Sequence, residues 1–140
     1  MIRTLAAAGL LAALIVTAGA PASAEEPKKT GTVDISSSSP DENLLKSLSG
    51  VAVVVRQKPW ERLAADLDIK DVPKVDFSRE ILVIGTWKGT GFKFLPDVKG
   101  GDLTVELVGD KEPRPGFRYR IVSYSRDGIT KFHGKSLPKE

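Results

Sequence analysis

EILVIGTWK, residues 80–88, decides how the rest of the chain is organised. Ile81, Leu82, Val83 and Ile84 are consecutive, so a strand here is apolar on both faces. Such a strand belongs in the middle of a sheet. Downstream the pattern stays β. Lys88, Gly89 and Gly91 read as a tight turn leading to a strand at Phe92–Val98, with the two glycines relaxing the backbone. Lys99-Gly100-Gly101-Asp102 is a hairpin signal. Leu103, Val105 and Leu107 alternate with Thr104 and Glu106, the signature of a half-buried strand. Pro113-Arg114-Pro115-Gly116 is a loop, Phe117–Ser125 alternates again, and Asp127-Gly128 predicts a hairpin into a last strand at Ile129–His133.

Upstream the period is helical. Trp60, Leu63, Ala64 and Leu67 fall at i, i+3, i+4 and i+7 behind Pro59. Val51–Arg56 reads as a short buried strand. Ser39-Pro40-Asp41-Glu42 predicts a helix start, with Ser39 as cap and Glu42 closing a capping box. Leu44, Leu45 and Leu48 supply its apolar face, and Gly50 stops it. The order is helix, strand, helix, then short-turned strands. That predicts an α+β domain over residues 40–140: a small antiparallel sheet or half-barrel of about five to six strands with one or two N-terminal helices. Residues 25–39 are polar except for Val33 and Ile35, and read as a flexible linker with a brief strand at Thr32–Ile35.

Residues 1–24 carry Arg3, an apolar run and Ala22-Ser23-Ala24, which predicts a signal peptide cleaved after Ala24. The chain is then expected to be exported to a bacterial periplasm or exterior, with no stable membrane insertion after cleavage. The leader removes 24 of 140 residues and one charge, leaving 20 basic and 18 acidic side chains. A net charge of +2 does not demand an anionic partner. With no cysteine, disulfides, thiolate catalysis and cysteine metal sites are excluded.

No motif carries a reaction. WKGTGFKF, residues 87–94, approaches the first ribonucleoprotein motif of RNA-recognition domains. Thr90, however, replaces a stacking aromatic, Lys93 a buried valine and Leu95 the last aromatic. No nucleic-acid partner is therefore expected. Strand parity gives the same answer, placing Phe92, Phe94, Phe117 and Tyr119 inward and Lys93, Arg118 and Arg120 outward. Gly128…Gly134-Lys135-Ser136 has five intervening residues where a P-loop needs four, and no helix can follow. Asp66, Asp68 and Asp71 lack the remaining ligands of a calcium loop. His133 is the only histidine, so a multi-histidine metal site is excluded; no nucleophile elbow accompanies it. No catalytic residue, cofactor or metal is expected.

Val75-Asp76-Phe77, the strand Ile81–Ile84, Gly85 and Thr90-Gly91-Phe92 together resemble the PrcB-like C-terminal domain family. That family is named for a role in stabilising a surface protease complex. The resemblance runs over Val75–Val98 and departs at the single glycine before Phe92. It implies a small extracytoplasmic β-rich domain acting through protein contacts. The leading expectation is thus an exported, non-catalytic interaction module with an envelope protein as partner, contacted through Trp87, Lys88 and Arg114. Two alternatives stand beside it. One is binding of an anionic polymer or membrane surface through Lys93, Arg118 and Arg120, with Lys131 and Lys135 nearby. The other is an enzyme of unrecognised type using His133.

Overall fold

The computed structural model describes residues 25–48, 50–112 and 114–138. These form β1 (Lys29–Ser39), α1 (Glu42–Leu48), β2 (Val51–Val54), α2 (Gln57–Asp66) and β3 (Glu80–Trp87). Then come β4 (Phe92–Lys99), β5 (Asp102–Gly109), β6 (Phe117–Ser125), β7 (Lys131–Phe132) and β8 (Lys135–Ser136). The predicted leader lies outside the described residues.

The chain is α+β and β-rich, but its strands form two sheets where one was expected. The first has the order β1-β6-β3-β2 and the second β4-β5-β7-β8, and neither closes into a barrel. As its sequence demands, β3 is interior, paired antiparallel with β6 and β2. Its two apolar faces serve two cores. Leu82 and Ile84 pack with Phe117, Tyr119 and Ile121 against α1 and α2 through Leu44, Trp60, Leu63 and Ala64. Ile81 and Val83 pack with Val122 and Tyr124 against the second sheet through Phe94, Leu103 and Val105. The result is three layers: helices, first sheet, second sheet.

The helical stripe of α2 is as predicted, with Trp60, Leu63, Ala64 and Leu67 all buried. Trp60 lies wholly inside the core and donates its indole N–H to the Pro73 carbonyl at 3.1 Å. The end of α2 is a Schellman turn: Ile69 N–H reaches Ala64 O and Asp68 N–H reaches Ala65 O. Asp68 takes the left-handed position, φ +54°, where glycine is usual. The cap of α1 is shifted. Asp41, and not Ser39, accepts the N–H groups of Asn43 and Leu44. Ser39 is instead the last residue of β1.

Four further expectations are corrected. Residues 29–39 are not a linker. They form an eleven-residue edge strand in register with β6 from Asp34↔Val122 to Ser39↔Phe117, after an irregularity past Lys29. Backbone pairing, the buried anchor Val33, the Ser123 hydroxyl bonded to the Val33 backbone and the Asp34–Arg120 pair hold it, so its serines need no apolar contact. β2 is an edge strand and only partly buried. The Lys88–Gly91 segment does not reverse the chain between paired strands; it is a corner carrying it from the first sheet to the second. Likewise Asp127-Gly128 turns the chain out of β6, yet β7 pairs parallel with β5. Lys99–Asp102 is the hairpin the sequence predicts, with Gly100 and Gly101 both at positive φ.

Candidate functional site

The corner after β3 is built around an aspartate that sequence reasoning passed over. Asp110 follows β5 and grips the corner from beneath. Its carboxylate accepts the backbone N–H of Thr90 at 2.8 Å and of Gly91 at 3.1 Å, together with the Thr90 hydroxyl. Its carbonyl accepts the Trp87 indole N–H at 2.8 Å. The hydrogen bonds from the Thr90 hydroxyl and backbone hold the Asp110 carboxyl below the ordinary aspartate range. Three donors on its carboxylate and one on its carbonyl fix the corner without burying an apolar group.

Gly89 is required here for space. Its φ is not positive, and neither is that of Gly91, so the predicted backbone freedom is not what either supplies. A Cβ on Gly89 would stand 2.6 Å from both the Asp110 carbonyl oxygen and Trp87 Nε1. A Cβ on Gly91 would meet nothing.

The predicted contact residues come together. Trp87 is half-buried at the end of β3 and lies nearly parallel to Phe92, with ring centroids 6.1 Å apart. Lys88 is exposed and reaches Glu42 of α1 at 3.1 Å. The Arg114 backbone N–H donates to the Lys88 carbonyl at 3.2 Å, which brings the second predicted loop against the first. Pro113 of that loop lies outside the described residues. Trp87, Lys88, Gly89, Asp110 and Lys111 line an open pocket of about 290 Å³ whose wall is nearly all carbon.

The predicted basic face is divided. Lys93 points out of the second sheet, on the side of β4 opposite Phe92 and Phe94. Arg118 is exposed beside Ser36, Ser37 and Phe92. Arg120 is turned into the gap between the sheets. There it pairs with Asp34 at 3.3 Å and places its guanidinium 5.7 Å from the centre of the Phe94 ring. Lys93 therefore does not share a surface with the two arginines, and Arg120 is already neutralised. Lys131 and Lys135 are exposed on β7 and β8.

His133 has a structural task. Its Nε2 accepts the Val105 backbone N–H at 3.0 Å, just where β7 ends and stops pairing β5. It sits at φ +49° in the turn between β7 and β8, edge-on to Phe132. Among the described residues no three acidic, histidine or cysteine side chains could hold a metal ion, and no helix is long and apolar enough to cross a membrane.

No protein-family model matches the chain, and no solved structure matches it. A 52-residue stretch is 38% identical to a histone-lysine N-methyltransferase, H3 lysine-36 specific, of Chaetomium globosum. The stretch is 37% of this chain and 6% of that protein, an extent that assigns no family.

Proposed function

We propose that the chain is an exported, non-catalytic protein-interaction module and that its contact surface is the Trp87 corner. One observation carries the reading: a carbon-walled pocket whose backbone is already fixed, by Asp110, before any partner arrives. Pre-organisation lowers the entropic cost of docking. Tryptophan and arginine are the residues most often dominant in such contacts. At about 290 Å³ the pocket suits one apolar side chain of a partner, with Lys88 and Lys111 in its lining and the Arg114 backbone bonded to Lys88 beside it. The apolar leader supports export, and the PrcB-like stretch Val75–Val98 supports action through protein contacts. No observation favours the anionic-surface reading, because its cations lie on separate faces.

The test is crosslinking in the living envelope with the wild-type chain and Trp87→Ala, each checked for an unchanged melting curve. A defined envelope protein captured by the wild type and reduced about tenfold or more by the variant supports the proposal. Equal capture by both chains, or no capture by either, overturns it. The export arm is read by mass spectrometry of the recovered chain: an N-terminus at Glu25 is expected, and retention of Met1 refutes cleavage.

A further inference from the structure

A second cavity lies at the open edge between the two sheets, away from the Trp87 corner. It holds about 350 Å³. Its apolar walls are Pro27, Phe94 and Pro96, and its polar groups are Glu26, Lys29, Arg120 and Tyr124. Tyr124 is the feature that requires explanation. Its side chain is completely buried, yet its hydroxyl has no hydrogen-bond partner. A buried polar group normally has one. The charges of Arg120, Asp34 and Glu26 all act on the phenol, and Arg120 and Glu26 line the cavity with it. Burial and the two carboxylates strengthen its hold on the proton against the opposing pull of Arg120, leaving it a hydrogen-bond donor at neutral pH.

Arg120 is half spoken for. Its Nε and Nη2 bind Asp34, whereas its Nη1 donates to no described residue. Tyr124 and Arg120, each with an unspent donor, thus line a cavity whose remaining walls are the carbon of Pro27, Phe94 and Pro96 and the charged Glu26 and Lys29. The charges around it are balanced, with Lys29 and Arg120 against Glu26 and Asp34. A bare anion would meet two carboxylates and a bare cation two cationic groups. A molecule carrying both charges meets neither penalty.

We infer that this cavity binds a small zwitterion of the amino-acid class, its carboxylate taken by Tyr124 and Arg120, its ammonium by Glu26, and its apolar side chain by Phe94 and Pro96. The site is separate from the Trp87 corner and stands whether or not that corner binds a protein.

The test is an amide NMR titration of the full chain with three probes: L-leucine, 4-methylpentanoate, which lacks the ammonium, and 3-methylbutylamine, which lacks the carboxylate. Saturable shifts at Tyr124 and Arg120 with leucine are expected, with each single-charge analogue about tenfold weaker or worse. Tyr124→Phe should weaken leucine binding about tenfold and leave the melting temperature unchanged or raised, since no internal hydrogen bond is lost. Absence of saturable shifts would mean that only water satisfies the phenol, and the inference fails. It fails equally if the three probes bind alike, if Tyr124→Phe binds leucine as the wild type does, or if that variant melts lower.

Discussion

Gly89→Ala should damage the Trp87 corner from within. The added methyl would lie 2.6 Å from the Asp110 carbonyl oxygen and 2.6 Å from Trp87 Nε1. An ordinary carbon–oxygen contact is about 3.3–3.6 Å, so the two must retreat by roughly 0.7 Å or more. Those same two atoms form a hydrogen bond 2.8 Å long, and the methyl acts as a wedge between them. The peptide carbonyl is held by the β5 register on one side, so the indole has to give. Overpacking of this kind costs about 1–3 kcal/mol. With a urea slope of about 1–3 kcal/mol/M, the midpoint should fall by roughly 1 M. The two indole N–H signals in an NMR spectrum separate the local effect from a global one. Trp87 should lose its hydrogen-bonded shift and its exchange protection, while Trp60, bonded to Pro73 inside the first core, should keep both. Gly91→Ala is the control, because a Cβ there meets nothing. A Gly89→Ala chain with the wild-type midpoint and an unshifted Trp87 signal would refute the claim that space, not backbone freedom, is what Gly89 provides.

Three other outcomes follow from the geometry. Asp68→Gly should stabilise the chain by about 0.5–1 kcal/mol, seen as a raised thermal midpoint, because glycine takes the left-handed turn position without strain. His133→Ala should unpair the Val105 amide, accelerate its hydrogen exchange and lower stability by about 0.5–1.5 kcal/mol. Asp110 has a carboxyl pKa lowered in the folded chain, so the unfolded chain binds its proton first as pH falls. Its contribution is therefore complete above the ordinary aspartate value of about 3.9 and is lost as pH drops through the lower folded value. Asp76, held down by Ser78 and Arg79, behaves in the same sense. In acid titrations followed by circular dichroism, Asp110→Asn should flatten the fall in stability below about pH 4; an unchanged acid limb would contradict the clasp.

How far the sequence reveals this fold depends on where the information sits. β3 and α2 are legible because their apolar side chains repeat at the period of the element that buries them. The second layer was also written in β3. Ile81 and Val83 face one way and Leu82 and Ile84 the other, and two apolar faces require two covers. β1 was not legible as a full strand, because its hold on β6 is made by backbone groups that every residue possesses and by polar pairs, Thr30 with Ser123 and Asp34 with Arg120, that no apolar period announces. The two-residue β7 and β8 are too short to show a period. At the site, Arg114 is tied to Lys88 by a single backbone hydrogen bond between two loops that the sequence presents separately. Lys93 separates from Arg118 and Arg120 because parity within one strand says nothing about which sheet that strand joins. Asp110 carries no motif; its only signal is a lone carboxylate just past an alternating strand, a place where loops are commonly tied down.

The strand order has a consequence in time. β1 and β3 do not touch as partners; each is hydrogen-bonded to β6, which begins at Phe117. A chain delivered from its N-terminus thus carries its first edge strand and its interior strand for most of its length without the piece that unites them. Asp34 waits for Val122, and Glu80 waits for Ser125. Such distant pairings make folding slow. They also make it late: the first sheet can close only when nearly the whole polypeptide is present.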